Sequence, residues 1–257
     1  MWENVSFDFS NKNFIVVGAS SGIGKNIAIN LAEAGANVLA VARNEERLSE
    51  LKAIFPEKIR TVSLDVLKAD NEAWNIALGD FTKEFGKCHG GVYTAGVGGH
   101  TALKGFDDEQ ARRVIDTSLY GMFNFLKNVV KRKYMEKGSS FVPFASVAAH
   151  NGQKGGIAYS AAKAAVKISV QSIAKEICRD KHRINSISPG WCDTEMTENS
   201  VLKAGLESYN DMVSAHRLGI GKPEDVSGMV LFLLSDAARW ITGTDVVVDG
   251  GYLLGID

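Results

Sequence analysis

The feature of this sequence that most constrains its fold is a regular alternation of short apolar runs with longer amphipathic stretches. The apolar runs are rich in Val, Ile and Ala on consecutive positions, which is typical of strands buried on both faces of a parallel sheet. Repeated strand–helix units of this kind predict right-handed crossovers and a doubly wound sheet. The predicted strands cover residues 14–18, 37–42, 60–66, 90–96, 139–147, 183–189 and 245–249, and the predicted helices include 23–34, 111–133, 158–179 and 223–235.

Length and composition favour one domain over residues 1–257. The chain is 45% hydrophobic, which allows a sizeable core without disulfides or metals. No repeat, low-complexity segment or Pro/Ser-rich linker divides it. We therefore expect an α/β protein with a single-domain Rossmann fold and helices on both faces of the sheet.

Charge and residue usage argue against several classes of function. A net charge of -1 gives no global positive field for nucleic acid or an anionic membrane. No apolar run is long enough to span a bilayer, and the start of the chain lacks the apolar core of a secretory signal. The three cysteines form no CxxC pair and the five histidines lack the HExxH spacing. A cytoplasmic protein without a metal is expected.

One predicted strand contains a proline. Pro143 lies inside residues 139–147, and proline cannot donate a hydrogen bond to a sheet ladder. The apolar residues on both sides still favour a strand. We expect a missing hydrogen bond or a bulge at Pro143.

A glycine-rich turn links the first predicted strand to the first predicted helix. Its spacing is GxxxGxG. Glycines let the backbone turn tightly and approach a pyrophosphate, while the helix N-terminus offers free N–H groups and a positive dipole. The predicted cofactor-binding residues of this turn are Gly18, Ser20, Ser21, Gly22, Ile23 and Gly24.

The residue after the second strand bears on the choice of cofactor. An enzyme that binds a ribose 2′-hydroxyl places Asp or Glu near this position, whereas here Ala42 is followed by Arg43. A guanidinium can pair with a 2′-phosphate, so we expect NADP(H) rather than NAD(H). Asp65, followed by Val66 at the end of the third strand, either accepts a hydrogen bond from an adenine amino group or caps the loop beyond.

A tyrosine and a lysine four residues apart form the predicted catalytic pair. Tyr159 and Lys163 fall on one face of a predicted helix. A free phenol titrates near pH 10, and a nearby ammonium lowers that pKa toward the range useful for proton exchange. Ser146 lies at the carboxyl edge of the sheet, where its hydroxyl can hold a carbonyl oxygen while Tyr159 protonates it.

Together these landmarks resemble the short-chain dehydrogenase/reductase family over essentially the whole chain. The matching residues are the glycine-rich turn, Asp65-Val66, Ala95-Gly96, Ser146, Tyr159 with Lys163, and Pro189-Gly190 with Thr194.

This resemblance implies a fold, an activity and an assembly. The fold would be a seven-stranded parallel sheet, and hydride would pass between nicotinamide and the substrate carbon. Gly96 would lie near the adenosine ribose, Lys163 would also bind the nicotinamide ribose, and residues 189–194 would hold the carboxamide. A homodimer would form through the two long helices, and a homotetramer through the last strand.

Two positions depart from the family pattern. The usual Asn-Asn-Ala-Gly after the fourth strand is Tyr93-Thr94-Ala95-Gly96 here, so the turn is expected to be held differently. The asparagine that completes the family's catalytic tetrad aligns with Ser118. A serine hydroxyl can still position a water, and we expect slower but retained turnover.

The substrate is less constrained than the chemistry. Residues 191–217 are expected to form a substrate cover. Arg217-Leu218-Gly219 and Ile241-Thr242-Gly243 make the chain similar to 3-oxoacyl-[acyl-carrier-protein] reductases, in which basic residues such as Lys175 and those near 131–133 would meet the acidic carrier. A sugar, polyol, steroid or small ketone remains an alternative substrate. A different class of function is an NADP(H)-binding regulatory protein without turnover.

Overall fold

Six parallel strands form the central sheet of the protein, for which the computed structural model describes residues 4–99, 102–198 and 206–255. Chain order reverses between the first and fourth strands, so the sheet is doubly wound as predicted. In sheet order the strands are β3 (Ile59–Ser63), β2 (Asn37–Ala42), β1 (Asn13–Val17), β4 (Cys88–Tyr93), β5 (Met135–Pro143) and β6 (Arg183–Ile184).

The expected seven-stranded sheet is corrected to six strands with a separate parallel pair. The pair consists of β7 (Ser186–Pro189) and β8 (Asp245–Val248). The predicted strand 183–189 breaks at the buried Asn185, whose side-chain amide donates to the Ile241 carbonyl at 2.9 Å and accepts from the Thr244 N–H at 3.2 Å. These side-chain bonds redirect the chain from β5 toward β8.

Helices flank the sheet along the described part of the chain. Local capping explains where two of them begin, because Asn44 accepts from the Arg47 N–H and Asp70 accepts from the Ala73 N–H. The helices are α1 (Gly22–Glu33), α2 (Glu45–Ile54), α3 (Asn71–Phe85), α4 (Asp108–Ile115), α5 (Gly121–Val129), α6 (Ile157–Ile177), α7 (Leu206–Ala215) and α8 (Pro223–Leu234).

The alternation of side chains along β1 divides the core into two layers. Phe14 and Val16 belong to the cluster that includes residues of α1 and α8. Ile15 and Val17 belong to the cluster that includes residues of α3, α5 and α6. Helices therefore cover both faces of the sheet, as predicted for a strand that is buried on both sides.

The predicted helix 111–133 is interrupted and shorter than expected. A π-helical segment, Asp116–Tyr120, separates α4 from α5, and α5 ends at Val129. The Gly121 N–H donates to the Asp116 carbonyl, which is the i→i+5 bond of a π turn. The basic residues 131–133 lie beyond the helix, where Arg132 forms an ion pair with Asp180.

Of the two irregularities expected at Pro143, a bulge is not found against β4, whereas the pairing of β5 with β6 ends just before Pro143, at Phe141 opposite Ile184. Pro143 is the last residue of β5 and lies opposite Tyr93, and the next N–H, that of Phe144, donates to the Tyr93 carbonyl at 3.0 Å. The shift in register between these strands occurs instead between Cys88 and Gly90. A proline at the end of a strand leaves the earlier ladder bonds intact, which explains why it is accommodated.

Neither a membrane span nor a metal cluster occurs in the described ranges. None of the helices there combines the length and apolar character needed to cross a membrane. Over those same ranges, no group of three or more His, Cys, Asp or Glu side chains is arranged to hold a metal ion.

Candidate active site

The predicted site residues gather at the carboxyl edge of the parallel strands. Because all six strands of the sheet run in the same direction, the loops that follow them meet at one edge. The loop after β1 carries the glycine-rich turn, and the loop after β5 carries Ser146. Tyr159 and Lys163 enter from the first two turns of α6. The fold thus collects residues that are far apart in sequence.

The glycine-rich turn is too tight for side chains at two positions. Gly18 has a φ of 90°, and a Cβ there would lie 2.4 Å from the Thr94 Oγ1 atom. A Cβ on Gly24 would lie 2.3 Å from the Gly18 carbonyl oxygen. Ser21 is the N-cap of α1 without a side-chain cap bond. This backbone geometry leaves a concave approach to the helix N-terminus that suits a pyrophosphate.

Thr94 holds this turn in place of the family's asparagine. Its Oγ1 atom donates to the Val17 carbonyl at 2.9 Å and lies 3.3 Å from the Gly18 carbonyl. The backbone N–H of Thr94 also donates to Val17. The turn is therefore fixed against the end of β4 by a threonine hydroxyl. It is held differently from the turn of the family, as expected from Thr94 in the place of an asparagine.

A cavity of about 510 Å³ opens beside the glycine-rich turn. It contains two cations that no sequence motif marks, Lys25 and Arg47, in the first turns of α1 and α2 respectively. Arg47 forms an exposed ion pair with Glu195 at 2.8 Å, so α2 contacts the segment after Thr194. The lining residues are Ser20, Ser21, Gly22, Lys25, Glu46, Arg47, Glu50 and Glu195.

The residues after β2, β3 and β4 occupy the same edge. Arg43 is exposed directly after β2. Asp65 lies two residues beyond the end of β3, rather than inside the strand, and its carboxylate accepts from the Leu67 N–H at 3.0 Å. Of the two roles expected for Asp65, the structure shows the cap of the loop that follows. Val66 is buried, and Ala95 and Gly96 follow β4 directly after Thr94.

Tyr159 lies between Ser146 and Lys163 and interacts with both. Ser146 is the N-cap of a short turn, where its hydroxyl accepts from the Ala148 N–H at 3.2 Å, and it is hydrogen-bonded to Tyr159. The Lys163 ammonium lies 5.7 Å from the centre of the Tyr159 ring. It is buried and donates to the Phe144 carbonyl at 2.8 Å.

Burial controls the protonation of both members of the predicted pair. Burial raises the pKa of Tyr159, and the hydrogen bond with Ser146 opposes that rise. The expected lowering of the tyrosine pKa is therefore wrong: burial, the largest effect, raises it. Burial also lowers the pKa of Lys163 to about 8.

Ser118 faces Lys163 from the π-helical segment. Its hydroxyl is buried without a hydrogen-bond partner among the described residues. The point where a Cβ on Gly96 would lie is 3.9 Å from the Ser118 hydroxyl, 3.7 Å from the Lys163 ammonium and 3.9 Å from the Thr94 carbonyl. Three polar atoms thus surround one small space, which satisfies the polar requirement of a buried water.

The predicted cover begins where β7 ends. Pro189 closes β7, and Gly190 has no room for a side chain because a Cβ would lie 2.9 Å from the His216 imidazole. Thr194 packs on the glycine-rich turn, where its methyl group would lie 3.3 Å from a Cβ added to Gly22. The two ends of the cover meet where the Trp191 N–H donates to His216 at 3.1 Å. Residues 199–205 of the predicted cover lie outside the described residues.

The lowered pKa of Lys163 predicts a dependence of stability on pH. Its pKa is about 8 in the folded protein against an ordinary 10.5, so between these values the unfolded chain binds the extra proton. Stability rises with pH wherever the unfolded state binds more protons. Below pH 8 the whole penalty is present, and by pH 10.5 it is released.

Urea unfolding of the wild-type protein and Lys163→Met across this range measures the effect. The difference in unfolding free energy should change by about 3 kcal/mol in favour of the wild type as pH rises. A constant offset between the two proteins would show that the lysine keeps its ordinary pKa. Both proteins share every other titrating group, so the difference isolates Lys163.

Comparison with known proteins agrees with this geometry. A family model described as enoyl-(acyl carrier protein) reductase matches residues 18–253. The chain is 32% identical over 246 residues to the 3-oxoacyl-[acyl-carrier-protein] reductase of Chlamydia muridarum, covering 94% of this chain and 97% of that protein. It is also similar to two solved structures. A Brucella melitensis short-chain dehydrogenase/reductase titled glucose/ribitol dehydrogenase has a TM-score of 0.87 at 27% identity, covering 96% of this chain and 99% of that chain.

The second structure is an actinorhodin polyketide ketoreductase variant with NADPH, with a TM-score of 0.86 at 26% identity over 96% of this chain and 99% of that chain. Its resemblance extends the match to a ketone reductase. The chain belongs to the short-chain dehydrogenase/reductase family and is an oxidoreductase acting on carbonyl and alcohol groups.

Proposed function

We propose that this protein uses NADP(H) to interconvert a carbonyl and a secondary alcohol, with a 3-oxoacyl group on acyl carrier protein as the leading substrate. The observation that carries the proposal is the hydrogen bond between Ser146 and Tyr159, with the buried Lys163 ammonium 5.7 Å from the Tyr159 ring. When bound, the nicotinamide supplies the hydride in reduction and accepts it in oxidation.

Tyr159 is the proposed acid/base. In reduction its hydroxyl gives a proton to the carbonyl oxygen, and in oxidation it takes the proton back. Burial raises the pKa of Tyr159, which keeps the proton on the hydroxyl until negative charge develops on the carbonyl oxygen. Ser146 donates to the same oxygen and orients it.

Ser118 and Lys163 are proposed to hold a water. Both polar atoms face the space beside Gly96, and the Thr94 carbonyl offers a further acceptor. A proton lost by Tyr159 is then replaced from solvent through Lys163 and this water. A serine makes fewer hydrogen bonds than the family's asparagine, so the relay is expected to support slower turnover.

The residues of the carboxyl edge fit a dinucleotide. The proposed pyrophosphate site is the turn of Gly18, Ser20, Ser21, Gly22, Ile23 and Gly24, whose backbone leaves no room for a Cβ at Gly18 or Gly24. Asp65 and Val66 are proposed to hold the adenine and Ala95-Gly96 the adenosine ribose. Tyr159 and Lys163 are proposed at the nicotinamide ribose. The carboxamide is assigned to Pro189, Gly190 and Thr194, of which Thr194 packs against the turn at Gly22.

The preference for NADP(H) is proposed to rest on Arg43. Its exposed guanidinium directly after β2 can pair with a 2′-phosphate. Lys25 and Arg47 add positive charge nearby, although Glu46 and Glu50 line the same cavity. The structure similar to this chain that contains NADPH supports the same choice.

A 3-oxoacyl thioester is the leading substrate because a 3-oxoacyl-[acyl-carrier-protein] reductase is among the similar proteins. Lys175 is exposed on α6, where it can meet an acidic carrier. The other cations expected to do so are engaged within the chain, since Lys131 donates to Asn128 and Arg132 pairs with Asp180. A sugar, polyol, steroid or small ketone is the alternative substrate.

A regulatory protein that binds NADP(H) without turnover is the alternative of another class. Its support is the serine at position 118, whose hydroxyl has no partner among the described residues. The hydrogen-bonded Ser146 and Tyr159 oppose it, because a protein that only binds the cofactor has no need of an acid/base. Turnover decides between the two.

A homodimer or homotetramer is the proposed assembly. Tyr120 in the π-helical segment and Ile168 on α6 are large apolar side chains that are 60% and 59% exposed. Val247 on β8 is also exposed, at the strand proposed for the second contact. Light scattering is expected to give two or four times the 27.7 kDa chain mass. A single chain mass at micromolar concentration would contradict the proposed assembly.

A carbonyl panel tests the proposed reaction. NADPH oxidation would be followed with a 3-oxoacyl thioester, a diketone, a ketose and a ketosteroid. We expect turnover on the thioester and a fall in kcat of about 100-fold or more in Tyr159→Phe, the range for removal of a general acid. Tight NADPH binding with no turnover on any member would favour the regulatory alternative.

The cofactor preference is tested by Arg43→Ala. We expect kcat/KM with NADPH to fall by about 10- to 100-fold, the value of a hydrogen-bonded charge pair, with little change for NADH. Arg47→Ala is the matched comparison from the same region. If Arg47→Ala removed the preference and Arg43→Ala did not, the 2′-phosphate contact would belong to Arg47.

A further inference from the structure

We infer that Tyr93 is a positioning residue, which holds Ser118 and Lys163 at the spacing that their shared water requires. The inference rests on the proposed function, because it concerns the proton relay of that site. Tyr93 is the last residue of β4 and stands where the family has an asparagine. The side chain of Tyr93 fixes the segment that carries Ser118, and its backbone fixes the strand end that binds Lys163.

The side chain of Tyr93 reaches the π-helical segment. Its hydroxyl donates to the Thr117 carbonyl at 2.6 Å, and the residue is 2% exposed. The ring stacks on Phe125 with centroids 5.8 Å apart. A Cβ on Gly121 would lie 2.2 Å from the hydroxyl oxygen, so the glycine makes room for this contact.

The acceptor of this hydrogen bond, the Thr117 carbonyl, is next to Ser118 in the chain. Thr117 directly precedes Ser118, inside the segment where the helix widens to i→i+5 bonding. The Gly121 N–H bonds to the Asp116 carbonyl rather than to that of Thr117, four residues before it. The hydroxyl of Tyr93 bonds to the Thr117 carbonyl instead, and this fixed donor limits how the turn moves. Burial, with the charge of Asp65, raises the pKa of Tyr93, which keeps the hydroxyl a donor.

The backbone of Tyr93 leads to the lysine. The Tyr93 carbonyl accepts from the Phe144 N–H at 3.0 Å, across the position of Pro143. The Phe144 carbonyl in turn accepts from the Lys163 ammonium at 2.8 Å. Tyr93 is therefore linked to Lys163 by two successive hydrogen bonds through Phe144. It is linked to Ser118 through Thr117, the neighbouring residue in the chain.

Removing only the hydroxyl separates positioning from packing. Tyr93→Phe keeps the ring on Phe125 and takes away the bond to Thr117. We expect kcat on the panel member that the wild-type enzyme reduces fastest to fall by about five- to tenfold, the effect of one buried hydrogen bond. KM for NADPH and for the carbonyl should stay within about twofold, since Tyr93 is 2% exposed and its hydroxyl is bonded to Thr117.

Tyr134→Phe is the matched control. The Tyr134 hydroxyl is also held in a largely buried site, where it donates to the Asn75 side chain at 2.9 Å, before the amino end of β5 and so at the opposite edge of the sheet from the catalytic groups. Loss of that bond costs stability in the same way but should leave kcat unchanged. An equal fall in kcat in both variants would overturn the inference.

A double-mutant cycle with Ser118→Ala tests the route of the effect. If Tyr93 acts through Ser118, Tyr93→Phe should change kcat by less than about twofold in the Ser118→Ala background. The same five- to tenfold loss in both backgrounds would show that the hydroxyl acts elsewhere.

Amide hydrogen exchange tests the inference without turnover. Exchange over residues 116–121 should be about tenfold faster in Tyr93→Phe than in wild type, and unchanged in Tyr134→Phe. Unchanged exchange in Tyr93→Phe would overturn the inference. Faster exchange in a protein inactive on every carbonyl would uphold the positioning contact while the proposed reaction failed.

Discussion

The hydrogen bond from the buried Lys163 ammonium to the Phe144 carbonyl is the contact on which the rest of the site depends. A buried ammonium without an acceptor is costly, so this bond fixes how α6 lies against the end of β5. Tyr159 stands one turn earlier on the same helix and therefore takes its place beside Ser146. Phe144 also pairs with Ile187 of β7, which ties the start of the proposed cover to the same point.

Irregular backbone is concentrated where this site needs it. The π-helical segment turns Ser118 inward, and the glycine-rich turn brings the Gly24 backbone against the Gly18 carbonyl. Each irregularity is held by a hydroxyl from the end of β4: Tyr93 holds the π turn and Thr94 holds the glycine turn. Adjacent residues of one strand point to opposite faces, so this single strand end supports both the proton relay and the cofactor turn.

The parts of the site that are continuous in sequence could be predicted, whereas those made by distant contacts could not. The spacing of Tyr159 and Lys163 predicts that they share a helix face, and the glycines of residues 18–24 predict the turn. The π turn depends on a tyrosine hydroxyl 24 residues earlier in the chain. The break in the sheet depends on Asn185 bonding to residues almost 60 positions away. Neither partner is visible in local periodicity, so the sequence pattern predicts a regular helix, and the family resemblance implies seven strands in one sheet.

Desolvation acts on the catalytic pair in opposite directions, and this bears on the chemistry. It raises the pKa of Tyr159 and lowers that of Lys163 to about 8, because burial disfavours the phenolate and the ammonium alike. Lysine therefore loses its proton before tyrosine as pH rises. With its pKa raised, Tyr159 keeps its proton in the residues as they stand. For Tyr159 to act as a base, added positive charge and the Ser146 hydrogen bond must together offset the cost of burying a phenolate.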